Sequence, residues 1–213
     1  MPAPPRIIRF SELPRSAWRN GGGTTVEIAR GPEPQSDDWG WRLSLAEVER
    51  AGDFSSFEGM DRILTVVEGE LLVLTVGGRE QGLERFRPFR FDGGAPASAV
   101  LPTGSIRDLG LITRRGAFTG HVTILELSKK RAHPLLPGQL GVLLQGDATL
   151  DGGEPLGRYD TVVGSEEHPA ILGRGFLAVV SVDAADSGAG DGGAEENGAE
   201  DSGAEDGAAS SPA

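Results

Sequence analysis

Along residues 6 to 183 the apolar positions come in short runs, each closed by glycine, proline or charged residues: "ILTVVEG", "LLVLTVGG", "HVTILELS", "GVLLQGDATL", "TVVG" and "FLAVVSV". β-Branched residues are frequent in them, and no segment keeps a helical period through four turns. Runs of this kind predict strands, and their regular punctuation predicts an all-β sandwich or barrel. "LTVGGRE" holds a Gly-Gly pair suited to a hairpin turn with positive φ, and "TLDGGEP" holds a second such signal. Helical turns are expected in "FSELP" and "LAEVERAG" alone. In "WRLSLA" the two-residue period puts Trp41, Leu43 and Leu45 on one face and Arg42, Ser44 and Ala46 on the other. In "TTVEI" it sets Thr25 and Glu27 opposite Val26 and Ile28. A face of small and polar residues lines a cavity or meets water, and for antiparallel sheets water is the commoner case.

Two segments follow the same plan. "ILTVVEGELLVLTVGGREQGLERFRPFRFDGGAPASAVLPTG" and "LGVLLQGDATLDGGEPLGRYDTVVGSEEHPAILGRG" each run strand, Gly with an acidic neighbour, strand, glycine hairpin and Leu-x-Arg-aromatic. Each closes on Ala-Val-Leu or Ala-Ile-Leu before a glycine turn. Gly69 matches Gly146, Leu83 matches Leu156 and Leu101 matches Leu172, an order that points to duplication. A repeated unit of this grammar resembles the cupin family of small β-barrels, and two copies imply a bicupin. Cupin metal chemistry uses a His-x-His pair with a Glu and a later His. This chain has His121, His133 and His168 and no His-x-His, so no bound metal or other cofactor is expected.

Charge changes the picture at the C-terminus. The net charge is −12, but eight acidic residues and no basic one fall in residues 184–213, leaving −4 for residues 1–183. That tail is Gly, Ala, Ser, Asp and Glu without a large apolar residue, and is expected to be disordered. Neither part carries the basic footprint of a nucleic-acid binder. With no cysteine, no signal-like start and no long apolar run, the chain reads as a cytoplasmic protein without a membrane segment. The expected organisation is one domain over residues 1–183, its first barrel at about 18–125 and its second at about 126–183, then the tail.

The glycine-rich stretch "WRNGGGTTVEI" is no phosphate loop of the Walker type, because no Lys follows the glycines and the next element reads as a strand. It instead resembles the signature Trp-Lys/Arg-Asn-Gly-Gly-Gly-x-Thr of the HutD family, also called HutD/Ves. "WGWRLSLAEVERAGDFSSFEGMDRILTVVEG" is similar to that family's second block and "IRDLGLITRRGAFTGHV" to its third. Gly110 stands where the family usually has Asn, and Ile112 where it usually has Met. The resemblance implies a bicupin fold and a role beside histidine degradation. There the protein would bind a small acidic intermediate such as urocanate or a formylated glutamate and moderate flux, with no established enzymatic activity.

Candidate ligand-binding residues follow: Trp18, Asn20, Gly22, Thr25, Glu27, Arg42, Ser44, Phe57, Arg62 and Asp108. The glycines let the backbone approach a ligand or another strand. Asn20 suits a ligand amide or carboxylate, or fixes the glycine turn through its own backbone. Arg62 stands before an apolar run, and a half-buried Arg needs a partner: a ligand carboxylate, or Asp108 or Glu27 in an internal salt bridge. Of the adjacent Arg114 and Arg115, at most one faces a cavity. Arg62 and Asn20 would orient a carboxylate, Ser44 and Thr25 would add hydrogen bonds, and Trp18 and Phe57 would cover it. Glu27 and Asp108 would form an acid–base pair if both lined one pocket, the alternative being a cupin-type isomerase or hydrolase. Bicupins often pair edge to edge, so a homodimer is one expected assembly.

Overall fold

The computed structural model describes residues 6–33 and 38–185. The expected disorder from Asp186 onward lies outside the described residues. Within them the chain forms β1 (Ile7–Ile8), β2 (Arg15–Ala17), β3 (Gly23–Gly31), β4 (Trp41–Val48), β5 (Gly52–Phe54) and β6 (Met60–Glu68). It continues through β7 (Leu71–Val76), β8 (Arg79–Glu84), β9 (Phe89–Asp92), β10 (Ala97–Val100), β11 (Ile106–Arg114) and β12 (Phe118–Leu127). Last come β13 (His133–Pro134), β14 (Gln139–Leu150), β15 (Pro155–Leu156), β16 (Thr161–Val163) and β17 (Ala170–Ala184). A short 3-10 turn at Phe10–Glu12 falls in the expected "FSELP". The described residues hold no helix long and apolar enough to cross a membrane.

The strands pair into three antiparallel sheets. One runs β2-β3-β4-β11-β6-β9, a second runs β5-β10-β7-β8, and the third runs β1-β16-β14-β17-β12 with β13 on β17 and β15 on β14. The architecture is all-β as the pattern predicts, but the ladders remain three sheets and do not close into continuous barrels. "LAEVERAG" is a correction: it continues β4 as a strand to Val48. Pairing with β3 on one side and β11 on the other outweighs the helical preference of Leu-Ala-Glu.

Three apolar clusters hold the sheets together. Leu64, Val66, Leu72, Leu74 and Ile106 fill the space between the six- and four-stranded sheets. Leu143, Leu150, Ile171 and Leu177 fill the interior of the seven-stranded sheet. Leu43, Leu45, Leu109 and Leu111 on the back of the six-stranded sheet pack against Val142, Leu144 and Val180. Strands β14 and β17 therefore bury both faces at Leu140–Leu144 and Leu177–Val180, which is why those stretches read as apolar runs. In β4 and β11 one face is core and the other is free to build a site.

The two repeat segments adopt matching local conformations. Gly69 and Gly146 have φ of +89° and +97°. Phe86 and Tyr159, the aromatics of Leu-x-Arg-aromatic, share a positive φ of 65° and 66°, uncommon for bulky residues. Their N–H groups donate to Val66 and Leu143 carbonyls at 2.8 and 2.6 Å. The preceding Arg85 and Arg158 donate from Nε to the carbonyls of Val67 and Leu144 at 3.1 and 3.0 Å. The contacts then cross over. Arg85 reaches Gln145 at 2.6 Å, while Arg158 reaches Glu68 at 3.4 Å. Gln145 and Glu68 directly precede the matched glycines. Each segment's arginine thus reaches the residue before the other segment's glycine.

A Cβ at position 146 would lie 2.0 Å from the carbonyl oxygen of Arg174. Gly146→Ala is therefore expected to destabilise the fold by more than about 2 kcal/mol, from the left-handed backbone and the clash together. Gly52→Ala, with nothing within 4 Å, is expected to change it by less than about 0.5 kcal/mol. Urea unfolding of the two variants checks the contrast.

Candidate functional site

Strands β3, β4, β11 and β6 lay a cross-strand floor. Arg42, Ile112 and Arg62 stand in one register row; Ser44 and Gly110 in the next; Thr25, Ala46 and Asp108 in the third. Alternation turns these residues to one side of the sheet, while Leu43, Leu45, Leu109 and Leu111 go to the core on the other. Above the floor is a cavity of about 490 Å³. The β2–β3 turn walls it with Trp18, Arg19 and Asn20, and the chain from β5 into the next loop walls it with Asp53, Phe54, Ser55 and Phe57.

The glycine-rich stretch from Trp18 to Thr25 forms the turn between β2 and β3 and the first residues of β3. Asn20 accepts the Gly22 N–H on Oδ1 at 3.0 Å, and Gly21 has a φ of +65°. The Gly22 carbonyl accepts from Glu49 and Arg50. At position 23 a Cβ would meet the Glu47 carbonyl oxygen at 2.1 Å, so β3 can lie this close to β4 only as glycine. The glycines serve a tight turn and a close strand approach. Gly22 accordingly lies outside the cavity lining, while Asn20 both fixes the turn and stands at the wall.

Arg42 and Arg62 dominate the electrostatics. Among the described residues neither forms an ion pair. The Nε–H of Arg42 is buried without a hydrogen-bond partner. Its guanidinium stacks over Trp39 at 4.7 Å and Phe57 at 5.4 Å. Arg62 donates to the Ser55 carbonyl at 3.1 Å and stacks against Phe57, Phe54 and Phe91 at 5.4, 5.4 and 5.0 Å. Phe57 thus lies against both cations, and its N–H, donating to Gly93 at 2.7 Å, ties its loop down. Burial lowers the pKa of each guanidinium; the charge of Glu27 raises that of Arg42 and the charge of Asp108 raises that of Arg62, and for each a neighbouring arginine lowers it by less. For Arg62 that neighbour is Arg42.

Asp108 is the buried acid of the floor, 5% exposed. Among the described residues it accepts no hydrogen bond and forms no ion pair. Burial pushes its carboxyl up to about 7, with the charge of Arg62 pulling the other way. The internal salt bridge considered for Arg62 is therefore not formed with Asp108. Nor is it formed with Glu27, which binds Arg30 through Oε1 at 2.5 Å and Oε2 at 3.0 Å. A register shift between Glu27 and Ala29 accompanies that pairing, and Glu27 lies outside the lining. Glu27 and Asp108 do not line one pocket, so the condition for an acid–base pair between them is not met.

Trp18 closes one wall, packing edge-on to Phe54 with centroids 6.3 Å apart and donating from Nε1 to Thr25 Oγ1 at 2.7 Å. Ser44 lies on the floor beside Gly110. The adjacent Arg114 and Arg115 both point away from the cavity: Arg114 pairs with Asp38, and Arg115 with Asp61 and Asp92 at 2.8 Å. Sequence reasoning did not single out Arg19, Asp53 or Ser55 at the rim, nor Trp39 behind Arg42. Spacing to a Trp or Phe in a separate loop is no signal that a linear pattern can carry.

A cupin-like transition-metal site does not fit these residues. No histidine lines the cavity, and no group of three or more His, Asp or Glu side chains among the described residues is placed to hold an ion.

Comparison with known proteins places the chain in a family and a fold. The HutD family model matches residues 10–179. An uncharacterised 21.2 kDa protein of the hutC 3′ region of Pseudomonas putida is 43% identical over 108 residues, covering 50% of this chain and 57% of that relative. The chain thus spans little more than half the length of that curated relative. The solved structure of HutD from Pseudomonas fluorescens SBW25, in a formate condition, superposes with a TM-score of 0.72 at 30% identity. That superposition covers 84% of this chain and 98% of the other. A cupin 2 conserved barrel domain protein from Leptotrichia buccalis superposes with a TM-score of 0.55 at 11% identity, over 84% of this chain and 96% of that one. It shows a cupin-like fold.

Asp108 gives the fold a pH signature. Between about 3.8 and about 7 the folded chain keeps a proton on Asp108 that the unfolded chain has lost, so stability falls as pH rises through that window. The cost of ionisation is on the order of a few kcal/mol. Asp108→Asn is expected to stabilise the protein more at pH 8 than at pH 5. Melting temperatures of both proteins at the two pH values check this, and an identical pH dependence would contradict it.

Proposed function

The chain belongs to the HutD family, and from that premise we propose that its cavity reversibly captures a small anionic metabolite connected with histidine utilisation, urocanate or a formylated glutamate. The observation that supports it most is the pair of half-buried guanidiniums on the floor, packed against aromatic rings and, among the described residues, in no ion pair with an acid. Glu27 and Asp108 act on them only without contact, and a carboxylate between them would supply the charge-assisted hydrogen bonds that these acids do not make. The Arg42 Nε–H would gain the acceptor it lacks. A cavity of about 490 Å³ lies in the range that suits small-molecule ligands. The position of the Pseudomonas putida relative in a hut gene region supports the choice of metabolites. A cytoplasmic protein of this kind would moderate flux by holding an intermediate.

Asp108 favours a second reading. A carboxyl titrating near neutrality suits general acid–base work, as in a cupin-type isomerase or hydrolase. Turnover of either metabolite by the purified protein would support it over simple capture.

Arg62→Ala and Arg42→Ala are each expected to weaken binding of the captured metabolite by about tenfold to a hundredfold, the loss of a charged hydrogen-bond partner. Titration calorimetry with urocanate and N-formylglutamate measures it. Undiminished affinity in either variant would overturn the role given to that arginine.

A further inference from the structure

The cavity has a second pole. Asp108, Gly110 and Ile112 are alternate residues on the cavity side of β11, and the two arginines sit on the Ile112 row. The Gly110 row lies roughly 7 Å from it along the strand, and Asp108 one such step beyond. Gly110 leaves a notch there. An added Cβ would stand 3.6 Å from Asp108 Oδ1 and 3.7 Å from Ser44 Oγ, ordinary contact distances. A ligand atom in that notch meets both oxygens at once. Asp108 is buried, lines the cavity and forms no hydrogen bond or ion pair among the described residues, the charge of Arg62 acting on it without contact. Burying a carboxylate is unfavourable unless a donor reaches it. Burial raises the Asp108 carboxyl to about 7, with the charge of Arg62 pulling the other way.

We propose that Asp108 and Ser44 form a recognition pole that selects, among anions entering the cavity, those bearing an N–H donor about one strand step from the carboxylate. The ligand class is a short carboxylate with an amide, amine or ring N–H, and simple carboxylates are discriminated against. The inference rests on the capture of an anion by Arg42 and Arg62, and adds a requirement which that reading does not contain. Gly110 belongs to the device, because a side chain there would occupy the notch.

Two matched probe pairs test it by calorimetry at pH 8, where Asp108 is ionised. One is urocanate against 3-(3-furyl)acrylate, the same planar shape without the ring N–H. The other is N-formylglutamate against 2-(formyloxy)glutarate, in which oxygen replaces the amide N–H. The wild-type protein is expected to bind the donor-bearing member of at least one pair tenfold or more tightly. Asp108→Val, or Ser44→Ala should the first variant fold poorly, is expected to narrow that ratio markedly. Equal affinities within every pair the wild type binds, or a ratio undiminished in the variants, would overturn the second pole while leaving anion capture standing. No binding of any probe would overturn anion capture and this inference with it.

Discussion

The central constraint is a register. Antiparallel pairing of β4, β11 and β6 places Arg42 and Arg62 in one row, separated by Ile112, on the same side of the sheet. The back of that sheet is apolar and locked against the seven-stranded sheet, so the row cannot slip by one residue without turning the leucines to the cavity. Two cations are thereby held together by backbone hydrogen bonds that are indifferent to their charge. Aromatic faces accommodate them, with Phe57 shared between the two, and among the described residues neither forms an ion pair with an acid.

The two similar segments differ in what they enclose. Both keep the positive-φ glycine, the Leu-x-Arg-aromatic turn and the guanidinium that stacks on its own neighbour. In the C-terminal copy the interior is filled by Leu143, Leu150, Ile171 and Leu177. In the N-terminal half, apolar packing by Leu64, Leu72 and Leu74 stops short, and the space beyond it is lined by Ser44, Gly110 and Thr25. One half supplies stability and the other a hollow.

Much of this was legible in the chain. Period-two alternation in "WRLSLA" correctly separated Arg42, Ser44 and Ala46 from the leucines, because both faces of β4 have distinct environments. Strand existence was legible wherever β-branched runs met glycine turns. "LAEVERAG" misled because local helical preference is weak beside two flanking ladders. Glu27 misled for a different reason. Alternation put it beside Thr25, but the register shift next to it and its bond to Arg30 draw it out of the lining. Gly22 was read as a ligand contact where the turn needs its backbone. The rim, from Asp53 to Ser55, depends on β5 pairing with β10, a contact distant in sequence that no local pattern announces.

The account stands or falls on where a carboxylate sits. A crystal structure with bound urocanate or N-formylglutamate measures this directly. It is expected to show the carboxylate within hydrogen-bond distance of both Arg42 and Arg62, with the Arg42 Nε–H satisfied. A carboxylate held elsewhere on the molecule, with the two guanidiniums unchanged and still in no ion pair, would contradict it.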